Sequence, residues 1–185
     1  MKNMNKKSIK LTSKDIIAKR DQICKDKTRY WKIIKSENVM SKKDKKAGMG
    51  SGCDLAALHN TILQNTETLI KIKLMLNCIN NGITTFNYEE AKKTHYYTIY
   101  RSSELKEQLA HWDEILNKHT INPVAKKKAG AKGLSKTETF SVEKITSIKK
   151  KLTLEINKLN EKIVKFNEDT TLEVTDDDIT SMFTA

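Results

Sequence analysis

Proline is nearly missing from this chain: Pro123 is the only one in 185 residues, and glycine occurs six times. Both residues punctuate local structure, so their rarity excludes a loop-rich or many-stranded protein and leaves room for long uninterrupted elements. The three cysteines, Cys24, Cys53 and Cys78, are odd in number, widely spaced and form no CxxC. That excludes a disulfide framework and predicts reduced thiols in a cytosol-like compartment. Arginine is scarcer still beside lysine, 3 against 32. Because Arg is the side chain that grips phosphate and guanine with two parallel hydrogen bonds, its scarcity argues against sequence-specific DNA reading and leaves diffuse phosphate attraction. Long apolar runs are lacking too. The greasiest, "LIKIKLMLNCI", carries two lysines and falls short of the ~18 residues a bilayer span needs. No apolar stretch follows the basic residues of the opening "MKNMNKKSIKLTSK", which predicts a protein that is not secreted.

What is present is charge and helix-forming side chains. Charged residues make up 31% of the chain, apolar ones 37%, and the net charge is +12. Abundant Lys, Glu, Leu and Ile predict an all-α fold, at a length that suits one domain with a real core. The charge is uneven. Residues 1–50 hold 16 basic and 5 acidic residues, and no Lys or Arg follows Lys165, after which Glu168 to Asp178 carries six acids. A surplus of this size favours polyanions. Lys, Asn and Ile also have A/T-rich codons, so an AT-rich genome supplies part of it without selection for binding.

Periodicity predicts about four long helices. Residues 1–12 read as a disordered basic arm. Thr12 and Asp15 then stand at capping-box spacing, and Ile16, Ile17, Ile23, Cys24, Tyr30, Trp31 and Ile34 follow at helical intervals over about 13–37, with Arg20 and Lys27 interrupting the stripe. A flexible linker is expected at 38–53. Asp54 then caps a helix whose apolar positions are Leu55, Leu58, Ile62, Asn65, Leu69, Ile72, Leu76 and Ile79. Steps of 3 and 4 alternate throughout, which is a coiled-coil seam, and Gly82 suits the left-handed position that closes it. Asn87, with Glu90 at capping-box spacing, predicts a continuous helix from 88 to about 119. After a second linker at 120–140, Ser141 caps a helix with the same alternation: Val142, Ile145, Lys149, Leu152, Ile156, Leu159, Ile163 and Phe166. Two matched seams are what a bundle core or an oligomer requires, with Asn65 and Lys149 setting register or partner. The bundle is thus expected over 13–166 and an acidic tail over 167–185.

Candidate chemistry is thin. None of His59, His95, His111 and His119 has an acid three residues before it, HExxH is absent, and no Cys–His cluster has zinc spacing. No metal or other cofactor is therefore expected. "GMGSG" follows no strand pattern and lacks a Lys-Ser/Thr ending, so phosphate-loop chemistry does not apply, and no catalytic residue is assigned. Three features point to binding. Lys42, Lys43, Lys45 and Lys46, with Lys126, Lys127, Lys128 and Lys132, are candidate phosphate contacts in the two linkers. The group Tyr96, Tyr97, Tyr100 and Arg101 suits either base stacking or ordinary packing with hydroxyls to water. Ile179, Met182 and Phe183, behind Asp176 to Asp178, form one apolar edge of a short helix, the format of helix-in-groove docking.

"LIKIKLMLNCINNG" with Ile79 and Asn80, "YEEAKK" with Glu90 and Ala91, "FSVEKI", and "KIVKFNEDTTLEV" with Asn167, Thr171 and Leu172 together resemble a septicolysin-like family of small helical bacterial proteins. The resemblance covers about 13–174. It departs at Thr94 and His95, where that family has Arg-Asp, and at Glu168, where it has Trp. It implies a helical, oligomeric, non-enzymatic protein. The functional expectation is accordingly a structural or interaction protein, a homo-oligomer with protein partners, in the cytoplasm or inside a virus particle. The alternative is a non-specific nucleic-acid binder that uses the Lys-rich arm and loops.

Overall fold

The start signals read from the sequence are physical caps. In the computed structural model, which describes residues 9–38, 52–121, 140–171 and 173, the Thr12 amide and hydroxyl both donate to Asp15 (2.9 and 2.6 Å), and the Asp15 amide donates to the Thr12 hydroxyl. This reciprocal box opens α1, Ser13–Glu37. The Asp54 carboxylate accepts from the Ala56 and Ala57 amides at the head of α2, Leu55–Asn80. At the other end of α2 the Gly82 amide donates to Ile79 O and the Ile83 amide to Cys78 O, with Gly82 at φ +72°. That pair of bonds is a Schellman closure, and its left-handed residue favours glycine.

The helix expected to run unbroken from 88 to about 119 is two. Asn87 caps a single turn, α3 (Tyr88–Ala91), and α4 begins only at His95 and runs to Ile121. Between them the Lys93 and Thr94 amides donate to carbonyls three residues back, and the Thr94 hydroxyl takes the Ala91 carbonyl at 2.7 Å. A side-chain hydroxyl competing for a main-chain acceptor interrupts the i to i−4 ladder. Glu90 does not close a capping box either; its carboxylate accepts from Lys93 at 2.8 Å. The last helix, α5, spans Val142–Asp169 behind the Ser141 cap, so the expected tail starts three residues later than 167.

Helices α1 and α2 form one antiparallel hairpin, α4 and α5 a second, and α2 against α4 joins them, with α1 also touching α4. All four long helices meet at one end around Trp31, Ile34, Leu55, Ile62, Trp112, Ile115, Phe140 and Ile145. Toward the other end the core divides. Ile16 and Ile23 pack on Leu69 and Ile72, while Leu105 packs on Ile156 and Leu159. A third cluster seats Ile70 and Leu74 of α2 against Ala91, Tyr88, Tyr97 and Tyr100. The protein is an all-α, up-down-up-down four-helix bundle with one short extra turn.

Candidate functional site: a buried ionic clasp beside an aromatic cage

Both seams turn toward the other helices of the same chain, and the second reaches solvent at its end. Leu55, Ile62, Leu69 and Ile72 of α2 are buried, and Leu58, Asn65, Leu76 and Ile79 are half-buried beside them. On α5, Ile145, Ile156 and Leu159 are buried, Val142, Lys149, Leu152 and Ile163 are half-buried, and Phe166 is exposed at its end, stacked on the His95 ring at 3.8 Å. The polar seam member Lys149 pairs with Asp113 of α4. Tyr97 and Tyr100 take the packing role, and Arg101 bridges Glu155 of α5 (3.0 Å) and Glu67 of α2. Burial disfavours the guanidinium charge, but the two carboxylates outweigh it and raise the Arg101 pKa. The candidate phosphate contacts Lys42, Lys43, Lys45, Lys46, Lys126, Lys127, Lys128 and Lys132, and the docking edge Ile179, Met182 and Phe183, lie outside the described residues.

The structure assembles a polar group that periodicity alone did not reveal. Lys27 is a full member of the α1 stripe rather than a break in it, since it is only 2% exposed, whereas Ile17 and Cys24, expected in that stripe, are exposed. Its ammonium donates to Glu104 at 2.6 Å and to Glu107 at 3.1 Å, both on α4. The second oxygen of Glu104 accepts from Lys73 of α2 at 2.8 Å. One carboxylate thus clasps three helices. Burial pulls the Lys27 pKa down, but Glu104 and then Glu107 outweigh it and the net shift is upward. Glu107 also faces His111, Nε2 to Oε1 3.7 Å. His111 first and then Lys27 hold its carboxyl down at about 2 against the resistance of burial. Glu107 and His111, four apart on one helix face, are the local half of this group. The other half was a lysine at a core position, where Lys is almost never fully buried unless paired.

One turn along α4 from this clasp lies an aromatic cage. The Trp31 ring sits 4.6 Å from His111 and 5.3 Å edge-on from Trp112. His59 stands edge-on to Trp112 and Phe140 at 5.1 and 5.5 Å. Nε1 of both tryptophans, Nε2 of His59 and Nδ1 of His111 are buried without a hydrogen-bond partner among the described residues. Tilted ring pairs let N–H edges meet π faces, which recovers part of a missing hydrogen bond. Burial, helped by the charge of Lys144, pushes the His59 imidazole down to about 4, so it is neutral at physiological pH. Beneath the cage, buried Asn38 closes the end of α1 onto the start of α5. Its amide donates to Phe140 O and its carbonyl accepts from the Phe140 amide, both at 3.0 Å.

Among the described residues no group of three His, Cys, Asp or Glu stands close enough to hold a metal ion. No described helix is long and apolar enough to cross a membrane. The fold defines the class: an all-α four-helix bundle fastened internally by a charge clasp. No family model, curated protein or solved structure matches this chain.

Proposed function

We propose that this chain is a non-enzymatic structural or interaction protein that self-associates and docks onto protein partners as part of a larger assembly, such as a virus particle. The observation that carries the reading is an uncovered apolar end. Because α1 and α2 are antiparallel, the approach to α1 and the loop leaving α2 emerge side by side, and there Ile9 is 75% exposed and Ile83 50%, with Leu11 and Phe86 also exposed. Apolar side chains gathered at one end mark a contact surface. The interior charges support the same reading, because Lys27, Glu104, Lys73 and Arg101 each fasten one helix to another. Since the seams are taken up inside the chain, self-association falls to this end.

Size-exclusion chromatography with light scattering tests the proposal. A dimer or higher oligomer is expected, and Ile83→Lys with Phe86→Lys should convert it to monomer without loss of helicity. A strict monomer at high concentration overturns it.

A further inference from the structure

The lysines of this protein divide into two populations. Lys27, Lys35, Lys73, Lys92, Lys93 and Lys149 each hold a carboxylate. On α5, Lys151, Lys158, Lys162 and Lys165 are all exposed and form no ion pair among the described residues. Their steps of 7, 4 and 3 keep them within a sector of about 60° on the helix. Of the acidic residues of α5, Asp169 alone falls inside that sector, at the last position of the helix beyond Lys165; Glu155 is turned to Arg101, and Glu161 lies outside it. From Lys151 to Lys165 the line is about 21 Å long at 1.5 Å per residue.

We propose that this face of α5 is a rail for the phosphate backbone of a nucleic-acid duplex, bound without regard to sequence. A helix that lies on a lipid surface needs an apolar face to bury there, and α5 has already committed Ile145, Leu152, Ile156 and Leu159 to the bundle core. A straight row of ammonium groups on a rigid helix instead matches a linear polyanion, whose condensed counterions it displaces. The row has no Arg and no aromatic side chain within it, so it has neither the bidentate fork that reads base edges nor a platform for stacking. Ammonium point charges position a backbone and carry no sequence information. This inference is independent of self-association through the apolar end.

The test uses the full chain and a labelled random-sequence DNA duplex, with affinity followed by fluorescence anisotropy over a salt series. Three proteins are compared: wild type, a rail variant (Lys151→Gln, Lys158→Gln, Lys162→Gln, Lys165→Gln) and an equal-charge control (Lys10→Gln, Lys14→Gln, Lys25→Gln, Lys32→Gln). Gln keeps helix propensity, and every substituted position is exposed. The rail variant should reduce the slope of log K against log salt by about 3 to 4, near 0.9 for each phosphate no longer neutralised. Its affinity at moderate salt should fall by at least ~100-fold, with a much smaller loss in the control. Equal losses in the two variants would show net charge alone at work and overturn the rail. So would a wild-type chain that does not bind DNA at low salt, or one that binds anionic vesicles through the same lysines and leaves DNA free.

Discussion

Acidification to pH 5 should weaken the bundle through a single buried imidazole. His59 is ringed by Trp31 on α1, Trp112 on α4 and Phe140 ahead of α5, with Lys144 of α5 adding a positive charge and His111, beside Glu107, on the α4 side. Protonation in place would bury a cation beside another cation, so the folded-state pKa falls from 6.5 to about 4. The sign follows from proton binding. Above pH 6.5 neither the folded nor the unfolded chain carries the proton, and His59 leaves stability unchanged. As pH falls through 6.5 the unfolded chain takes up the proton and the folded chain does not, so stability is lost until about pH 4, where the folded state also protonates. At pH 5 the loss amounts to about 2 kcal/mol, approaching ~3 kcal/mol below pH 4, at 1.36 kcal/mol per unit of pKa difference. Glu107, held down at about 2, loses its contribution only between pH 4.5 and 2 and so does not confound the upper range. Urea unfolding at pH 7 and pH 5 measures this, with His59→Leu as the comparison. The variant keeps every other histidine, so its loss between the two pH values should be smaller than wild type's by about 2 kcal/mol. Equal losses in the two proteins would show that the cage does not hold His59 neutral and would refute the argument.

The clasp and the Asn38 latch give further expectations. Glu104→Gln leaves the Lys27 ammonium buried with only the half-exposed Glu107, and should cost about 3–5 kcal/mol. The double variant Lys27→Met, Glu104→Leu removes both charges at once and should recover most of that loss in a denaturant series. A double variant no more stable than Glu104→Gln would mean that the charges contribute net attraction. Asn38→Asp is nearly isosteric but sets a carboxylate oxygen against the Phe140 carbonyl, where the amide now donates. It should cost at least ~3 kcal/mol, seen as a lowered melting temperature, and a neutral result would show that the latch does not hold α5 to α1.

How much of this was legible in the sequence follows from which forces are local. Caps are made by residues three apart, so Thr12 with Asp15, Asp54, Asn87 and Ser141 could be read directly and each is present. Helical period is equally local, and the two alternating stripes turn their members toward the bundle except at Phe166, which is exposed. The break at 92–94 was not legible, because nothing in a string of polar residues says that the Thr94 hydroxyl will take the Ala91 carbonyl. Pairing between helices depends on residues far apart in sequence, such as Lys27 with Glu104 or Asn38 with Phe140, and their separations of 77 and 102 residues are beyond any periodic signal.

The misfit lysine nevertheless carried information. An apolar stripe interrupted by a charge has two physical outcomes: the helix rotates to expose it, or the fold supplies a counter-charge. Trp31 and Ile34, one turn and two turns beyond Lys27, are buried with it, so α1 cannot rotate Lys27 outward without exposing a tryptophan. Rotation would forfeit ~3–5 kcal/mol for that side chain alone, whereas a paired and hydrogen-bonded charge costs far less than an orphaned one. The acid that answers Lys27 therefore had to come from a facing helix, on a core-facing position with its own neighbours. Glu104, between buried Ser102 and Leu105 in the stripe of α4, meets that condition. A lysine inside an otherwise apolar stripe thus announces a facing helix that carries its counter-charge, even where nothing in the sequence states which helix that is.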